Sequence, residues 1–316
     1  MDTKSQVLQI LNENEGKFVS GEMMANALGV SRMAISKAVS SLLDQGHMIE
    51  AVKHKGYRID GKNDVLSQES LDIFLDGSGI KGYYLPETVS TNMDAKRMAG
   101  EGIKPPFLVC TSKQSGGRGR LGRSFESPRG GVYFSLVLSG DEIASPSLLT
   151  ISAAWAISDV MERLTGIETS IKWVNDVYIH DKKAVGILTE GIVNMEEGGI
   201  SQVVVGCGIN LKTKSEEFSP SIRDIVTSFY PTGESKVQRV EVISECAKAI
   251  IKAQKIDFLE EYRKKCFVTD KDIYVIRMNE RKCAHALRID KDGHLVVKYG
   301  DGSIEALSSG EVSIRL

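Results

Sequence analysis

The chain of 316 residues predicts an α+β protein made of three successive units. Helical apolar spacing fills the first 62 residues and ends in two short β segments. Segments of β type then alternate with helices to about residue 268, and only short β runs follow. Because each change of periodicity marks a change of architecture, we expect units at 1–62, 66–268 and 269–316.

The first unit carries the pattern of three helices followed by a wing. One amphipathic helix begins near Val7, and Ser20 and Ser31 are each suited to cap a following helix. The third helix is expected to run to about Gln45 and to end at Gly46. Two short β segments complete an arrangement that is typical of a winged helix-turn-helix.

The position of the charges favours DNA as the partner of this first unit. Residues 1–60 carry seven Lys and Arg against seven Asp and Glu, but basic side chains predominate on the third helix and the wing. Phosphates would lie there if the unit bound DNA. The residues that we expect at the interface are Ser31, Arg32, Met33, Ser36, Lys37, Lys53 and Lys55. The alternative is a winged helix that serves only for packing or dimerisation.

The second unit follows a short polar linker at residues 61–64. We expect a helix over 67–75, a long helix that begins at Pro146, and a second long helix over 238–265, with β segments between them. This mixture predicts a central α/β body.

The third unit predicts a small β-barrel. Its β runs are short, and Asp292-Gly293 and Asp301-Gly302 lie between them as hairpin turns. The expected strands are 273–278, 286–289, 295–299, 304–307 and 312–314.

Composition is that of an ordinary globular protein, with 41% hydrophobic residues, 26% charged residues and a net charge of −2. No apolar run reaches the length of a membrane span, and the polar N-terminus does not have the pattern of a secretory signal. The five cysteines are scattered, which favours reduced thiols in the cytoplasm. Neither they nor the histidines show metal-ligand spacing, so we assign no protein metal site.

The segment Gly116–Phe125 is the most informative one in the chain. Four glycines and three arginines within ten residues form a poor helix and a poor strand. Backbone N–H groups and guanidinium forks of such a loop can close on phosphate or carboxylate oxygens. We therefore expect an arginine clamp that is loose when empty and folds over an anionic ligand.

The same loop also matches the dinucleotide-binding pattern G-x-G-x-x-G at Gly117, Gly119 and Gly122, with Asp141 and Glu142 at the position of the ribose-binding acid. That pattern requires a helix directly after the glycines. A β-rich apolar run follows instead, so the sequence argues against a dinucleotide fold.

Four further segments place polar groups or glycines at the ends of predicted elements. They are Ser-Thr-Asn at 90–92, Lys-Trp-Val-Asn-Asp at 172–176, Lys-Ala-Val-Gly-Ile-Leu at 183–188, and the glycine-broken strand 203–210. Glycines within a strand suggest the close approach of a ligand or of another backbone.

Together these motifs resemble the family of bifunctional biotin–protein ligases and biotin-operon repressors over essentially the whole chain. The set comprises STN, QxxGRGRxGR, KWxND, KxxGIL and GxGIN, followed by GEVSIR at 310–315. As a set these motifs are highly specific, although each one alone is weak. The chain has Val174 where the family usually has proline, Leu121 where a basic residue can occur, and Phe125 where tryptophan is frequent.

The resemblance implies a winged helix-turn-helix domain, a catalytic domain similar to class II synthetases and an SH3-like C-terminal barrel. It also implies that ATP and biotin are substrates with Mg²⁺, and that a lysine of a biotin carboxyl carrier protein receives biotin from biotinyl-5′-AMP. Operator DNA and a ligand-linked homodimer are the further partners implied, with no membrane association.

The resemblance also assigns residues to roles. Those implied to bind biotin and its adenylate are Ser90, Thr91, Asn92, Gln114, Gly117, Arg118, Gly119, Arg120, Asn175, Lys183, Gly186 and Gly206. Lys183, Arg118 and Arg120 are the candidates for stabilising charge on the reacting phosphate. Asp176 is the candidate for orienting the carrier lysine or accepting its proton.

The chemistry is consistent with these residue types. A carboxylate is already ionised at pH 7, so its attack on ATP needs positive charge rather than a general base. The alternatives are a ligase whose winged helix binds no operator, a biotin sensor without catalysis, and a lipoate ligase, for which we would expect a loop poor in arginine.

Overall fold

The computed structural model describes residues 1–61, 63–143, 145–194, 199–235, 237–277, 280–308 and 311–314. The boundary residue Lys62 of the first expected unit lies outside the described residues, as do Gly310 and Arg315 of the GEVSIR motif and Met278 at the end of an expected strand.

The N-terminal unit has the three helices and the wing that the sequence predicts. Its elements are α1 (Thr3–Glu13), α2 (Gly21–Leu28), α3 (Arg32–Asp44), β1 (Ile49–Val52) and β2 (Gly56–Ile59). The hydroxyls of Ser20 and Ser31 accept hydrogen bonds from backbone N–H groups in the first turns of α2 and α3. These caps satisfy N–H groups that have no partner within the helix, so both predicted helix starts are confirmed.

The central unit is built on a mixed sheet of seven strands. Its strands are β3 (Lys81–Leu85), β4 (Phe107–Thr111), β5 (Val132–Ser139), β6 (Ser170–Lys172), β7 (Asp176–Ile179), β8 (Lys182–Asn194) and β9 (Gly199–Ile209). The spatial order is β3-β4-β5-β9-β8-β7-β6. Only the pair β3 and β4 is parallel among the described strand pairs, so this is not the parallel sheet of a dinucleotide fold.

Helices cover both faces of this sheet. They are α4 (Gln68–Leu75), α5 (Thr91–Gly100), α6 (Pro146–Thr165), α7 (Arg239–Ala253) and α8 (Leu259–Lys265). The main core lies between the sheet and α6 and α7, while α5 packs on the other face through Ala95 and Met98. Burial of both faces explains why β5 is apolar along almost its whole length.

One sequence prediction about these helices is wrong. The segment 238–265 was expected to form a single helix, but the helix ends at Ala253 and a new one begins at Leu259. The carboxylate of Asp257 accepts a hydrogen bond from the backbone N–H of Leu259. Asp257 therefore stabilises a new helix start where periodicity alone suggested continuity.

The C-terminal unit is an antiparallel sheet in the order β13-β12-β11-β10-β14. The strands are β10 (Lys271–Arg277), β11 (Glu280–Ile289), β12 (Leu295–Tyr299), β13 (Ile304–Leu307) and β14 (Glu311–Ile314). The turns at Gly293 and Gly302 have positive φ, as the predicted hairpins require. Apolar residues of this sheet belong to the same buried cluster as the central core.

The linker between the first two units is bound to the central unit. The carboxylate of Asp64 accepts hydrogen bonds from the Lys212 ammonium at 2.9 Å and from the backbone N–H of Arg239 at 2.8 Å. It also lies 3.1 Å from Nε of Arg239. The short polar segment therefore connects the N-terminal unit firmly to the segment after β9 and to the start of α7.

Four of the five cysteines, Cys110, Cys207, Cys246 and Cys266, are buried free thiols, as the sequence suggested, and Cys283 is exposed. Across the described residues, no helix combines the length and the apolar character that crossing a membrane requires.

Candidate active site

A cavity of about 160 Å³ opens over the middle of the seven-stranded sheet. It brings together the ligand and catalytic residues predicted from the motifs, with the exception of Gly117. The predicted residues that line it are Ser90, Thr91, Asn92, Gln114, Arg118, Gly119, Arg120, Asn175, Asp176, Lys183, Gly186 and Gly206. Segments more than a hundred residues apart in the sequence therefore form one site.

Glycines of β8 and β9 form the floor of this cavity. A Cβ atom at Gly206 would lie 2.0 Å from Oδ1 of Asn92, and one at Gly208 would lie 2.4 Å from the ring of Phe125. A Cβ atom at Gly186 would lie 2.8 Å from the same ring. A glycine-broken strand was expected to mark the close approach of a ligand or of another backbone, and here the approaching groups are side chains of the loop and of α5.

The arginine-rich loop is folded back on itself above this floor. The backbone N–H of Gly119 donates to the carbonyl of Arg123 at 2.7 Å, and that of Phe125 donates to the carbonyl of Gly117 at 2.9 Å. A Cβ atom at Gly117 would lie 2.3 Å from the Phe125 carbonyl oxygen. Gly117 thus permits the loop to close and does not line the cavity.

Several arginines of the loop line the cavity. The guanidinium of Arg120 donates to Oδ1 of Asn175 at 3.3 Å, which joins the loop to the turn between β6 and β7. Asn175 is fixed in turn, because its Nδ2 donates to the carbonyl of Ile187 at 2.7 Å. Arg118 also lines the cavity.

Lys183 and Asp176 form an ion pair at the cavity wall. Nζ of Lys183 lies 2.7 Å from Oδ1 of Asp176, and both side chains are partly buried. The backbone of Lys183 is held on its other side, since it exchanges hydrogen bonds with Ile225 and Thr227. The ammonium group is therefore directed into the cavity from a backbone position fixed on two sides.

The Ser-Thr-Asn segment is at the start of α5. Ser90 occupies the N-cap position but makes no side-chain capping hydrogen bond. The backbone N–H of Thr91 donates to Oε1 of Gln114 at 2.9 Å, and Nε2 of Gln114 donates to Ser127 at 2.8 Å. These polar side chains line the cavity, so capping does not explain their presence.

The cavity has a strongly positive lining. Its described basic side chains are Arg118, Arg120, Arg123, Lys172 and Lys183, against the single carboxylate of Asp176. Fixed cations in a partly water-excluded site favour an anionic ligand and stabilise negative charge that develops during a reaction.

The thiol of Cys207 also lines the cavity but is not a nucleophile. Burial raises its pKa well above the usual value, so the group remains a neutral thiol at pH 7. We assign Cys207 to the wall of the site.

Sequence reasoning missed several residues of the lining. They are Leu121, Arg123, Ser124, Phe125, Lys172, Trp173, Ile187, Leu188, Cys207, Gly208 and Val312. All of them lie within the motifs or segments identified from the sequence, but neither residue type nor resemblance assigned them a ligand role. Val312 belongs to β14 and to the GEVSIR motif, which was not assigned to the site, and only the docking of the C-terminal sheet brings it to the cavity.

Trp173 connects the site to the C-terminal sheet. Its indole N–H donates to the carbonyl of Gly293 in the turn between β11 and β12 at 3.0 Å. The side chain is almost completely buried. It therefore fixes the C-terminal sheet beside Asn175 and Asp176.

The residues predicted to contact DNA lie together on the N-terminal unit. Those on the first turns of α3 are exposed, including Met33, of which 82% of the surface is accessible. Lys53 and Lys55 are exposed at the tip of the wing. All seven predicted contact residues are therefore accessible to a partner.

Three parts of the chain match known protein families. Residues 3–58 match an HTH domain, residues 84–210 match the Biotin/lipoate A/B protein ligase family, and residues 287–315 match the Biotin protein ligase C terminal domain. The bifunctional ligase/repressor BirA of Bacillus spizizenii is 34% identical over 244 residues, which is 76% of this chain and 74% of that protein.

The chain belongs to the biotin protein ligase family. It is a biotin protein ligase with an N-terminal helix-turn-helix domain. The bifunctional ligase/repressor BirA of Escherichia coli is 28% identical to this ligase. The alignment covers 95% of the chain described here and 94% of the Escherichia coli protein. Similarity therefore extends over all three units.

A solved structure supports the same assignment. The biotin protein ligase from Aquifex aeolicus in complex with biotin and ATP is 26% identical, with a TM-score of 0.63. The match covers 74% of this chain and 98% of that one.

Proposed function

We propose that the ligase joins biotin to a carrier protein in two steps within the cavity over β8 and β9. The biotin carboxylate attacks the α-phosphorus of ATP, giving biotinyl-5′-AMP and pyrophosphate. The ε-amine of a lysine on a biotin carboxyl carrier protein then attacks the acyl carbon, forms an amide and releases AMP. The observation that carries this proposal is the cationic lining placed above a glycine floor.

Positive charge is the main catalytic element of the first step. An anionic carboxylate must approach a polyanionic nucleotide, and fixed cations offset that repulsion without reorganisation during the reaction. Lys183 and Arg120 are proposed to stabilise charge on the α-phosphoryl group, and Arg118 to close the loop over the adenylate. Their shared cavity and the anchoring of Arg120 by Asn175 support these roles.

The second step requires a neutral amine. A free lysine has a pKa of about 10.4, so the carrier lysine must lose a proton as it attacks. Asp176 is proposed to orient this amine or to accept its proton, since it is the one carboxylate among the described lining residues. Exclusion of water by the closed loop would protect the acyl-adenylate from hydrolysis.

Mg²⁺ is proposed to enter with the nucleotide. A single carboxylate, already paired with Lys183, fits an ion held mainly by phosphate oxygens better than a metal site formed by the protein. When bound, the ion would supply additional positive charge beside the transferred group.

The direct test uses purified ligase, biotin, MgATP and a carrier domain, with the carrier measured by intact mass. We expect one biotin to be added, and no addition when ATP is omitted. A carrier of unchanged mass in the complete reaction would leave a biotin sensor as the better interpretation. Parallel reactions with lipoate distinguish the lipoate-ligase alternative.

We also propose that the N-terminal unit binds operator DNA when a dimer forms on the adenylate-bound ligase. The exposed residues Ser31, Arg32, Met33, Ser36, Lys37, Lys53 and Lys55 are proposed as the contact surface. The HTH match and the clustering of basic groups on α3 and the wing support this proposal. An operator gel shift with and without biotin and ATP tests it, and lack of binding in both conditions would indicate a ligase without operator function.

Ligand-linked dimerisation has its own test. Sedimentation with and without biotin and MgATP should show a dimer only in the liganded sample. A monomer in both samples would contradict the proposal.

Three finer structural assignments belong to the same proposal. The units are proposed to be domains spanning 1–62, 66–268 and 269–316, of which the second is similar to class II synthetases. The last is proposed to be an SH3-like barrel, which its five short antiparallel strands support. Free buried thiols support a cytoplasmic location.

A further inference from the structure

A partly buried hydrogen-bond network holds the carboxamide of Asn92 beside the cavity. Oδ1 of Asn92 lies 2.6 Å from the hydroxyl of Ser135, and Nδ2 donates to Oε2 of Glu190 at 2.8 Å. The other oxygen of Glu190 accepts a hydrogen bond from the ammonium of Lys96 at 2.5 Å. The hydroxyl of Ser135 also lies 2.7 Å from the hydroxyl of Thr91.

The Glu190 carboxylate fixes the orientation of this network. A carboxylate can only accept, so the NH₂ group of Asn92 must face Glu190 and its oxygen must face Ser135. A hydroxyl has one proton, and Oδ1 cannot donate, so Ser135 gives its proton to Asn92. The Thr91 hydroxyl lies 3.2 Å from Oε1 of Gln114 and 2.7 Å from Ser135. The shorter contact would have no proton unless Thr91 supplied it, so Thr91 is the donor to Ser135.

The direction of these hydrogen bonds determines whether donors or acceptors face a ligand in the cavity. With its proton committed to Ser135, Thr91 presents lone pairs to the cavity that it lines. The ring system of biotin carries a urea group with two N–H donors, which acceptors of this kind can bind.

We propose that Glu190 is a positioning residue that sets the donor–acceptor polarity of the biotin-ring end of the cavity through Asn92, Ser135 and Thr91. The inference rests on the proposed function, because it requires the ring to bind beside Thr91. Glu190 does not line the cavity, so it acts on the ring through the network and not by direct contact.

Two structural features support an ionised and fixed Glu190. Burial disfavours its charge, but hydrogen bonds from Lys96 and Asn92 outweigh that effect and hold the pKa of Glu190 below its usual value. Asn92 itself has no space to retreat, since it is in contact with the backbone of β9 at Gly206.

The substitution Glu190→Gln tests the polarity argument with almost no change of shape. The amide oxygen should face the ammonium of Lys96, which leaves an NH₂ group opposite Nδ2 of Asn92. Asn92 must then turn over and reverse the bonds through Ser135 to Thr91. We expect the Kd for biotin, measured by calorimetry, to rise about tenfold or more, on the scale of one misdirected buried hydrogen bond. The KM for ATP should not change.

A second substitution should rescue this defect. In the double variant Lys96→Met, Glu190→Gln the amide has no ammonium to satisfy, so its oxygen can again accept from Asn92. We expect biotin affinity to return to within about threefold of the wild type, on the scale of less than one hydrogen bond. A purely structural role for the ion pair predicts the opposite, because the double variant lacks both charges.

Two controls separate this inference from the proposed function. Glu101 follows the last residue of α5, the helix that carries Asn92, and forms an exposed ion pair with Arg97. Glu101→Gln removes this carboxylate and should leave the Kd for biotin unchanged. Thr91→Ala removes the proposed ligand contact, so an unchanged Kd in that variant would refute the location of the ring. The role of Glu190 alone would be overturned by either of two results. In the first, Thr91→Ala weakens biotin binding but Glu190→Gln does not. In the second, the double variant binds biotin no better than Glu190→Gln.

Discussion

At the scale of single residues, the site depends as much on missing side chains as on charged ones. Gly186, Gly206 and Gly208 leave room on the sheet for Phe125 and Asn92, which lie within van der Waals distance of the backbone. A strand otherwise gains packing from each side chain, so three glycines on two adjacent strands weaken the sheet in return for cavity depth.

Replacement of Gly208 by alanine should therefore damage the site more than the fold. The new Cβ would overlap the Phe125 ring, and the loop that carries this ring must move outwards. We expect kcat/KM for biotin to fall at least tenfold, as expected when loop groups lose their catalytic positions. The matched control is Gly199→Ala on the same strand, where a Cβ atom meets nothing within 4 Å and kinetics should remain as in the wild type.

We expect the ammonium group of Lys183 to be important for adenylate synthesis. Lys183→Ala removes the ammonium that pairs with Asp176, and adenylate synthesis should fall about 10²-fold or more, the typical loss of one preorganised donor. Pyrophosphate release in single turnovers measures this step. The exposed neighbour Lys182 serves as the control position, and wild-type adenylation by Lys183→Ala would remove this residue from the mechanism.

At the scale of elements, the linker contributes more than its length suggests. Asp64 stabilises the start of α7 through the Arg239 N–H and also binds Lys212, two residues beyond the last residue of the GxGIN motif. The three side chains are between 10% and 20% exposed, so their interactions are only partly screened by solvent. The linker thus connects the N-terminal unit to the end of a strand that lines the cavity.

The Asp64→Asn variant tests how much the contacts of Asp64 contribute to stability. One acceptor oxygen and the charge are lost while Lys212 and Arg239 remain, and we expect the free energy of unfolding to fall by about 1–3 kcal/mol. Urea unfolding gives the value, with Asp76→Asn, an exposed position after α4, as the control. Equal stability of the two variants would show that the Asp64 contacts contribute nothing.

At the scale of the whole molecule, a polar junction joins the N-terminal unit to the central one. His47 is only 2% exposed there, and its Nδ1 lies 3.1 Å from Nδ2 of Asn63. Because that amide nitrogen donates, Nδ1 must accept, so the imidazole is neutral. Lys4 and Glu69 form an ion pair beside it, 2.5 Å apart.

This junction should weaken in mild acid. Burial lowers the pKa of His47 below its ordinary value of 6.5, against the opposing influence of Glu69. A lowered histidine pKa contributes stability that is complete above about pH 6.5 and is lost as the pH falls through the folded-state value. The loss of stability between pH 7.5 and 5.5 should therefore be smaller in His47→Gln than in the wild type, as measured by thermal unfolding. Identical losses in both proteins would exclude His47 as the cause.

Much of this organisation could be predicted from the sequence because its signals are local. Ser20 and Ser31 mark helix starts, and Gly293 and Gly302 mark hairpins, since capping and positive φ depend on neighbours in the chain. The site residues were assigned as a group from a family resemblance, and the fold gathers all of them except Gly117 around one cavity. The break before α8 was missed because Asp257 competes with a continuous apolar pattern.

By itself, then, the sequence determined the succession of elements, the three units and the candidate residues of the site. Only the tertiary structure decided which distant groups meet: Val312 at the cavity wall, the Trp173 indole on the Gly293 carbonyl, and Glu190 behind Asn92. The physical reason is the distance along the chain between the groups that interact. Caps, turns and periodicity are energies of neighbouring residues, whereas these contacts exist because strand order and the docking of a separate sheet bring remote segments within hydrogen-bond distance.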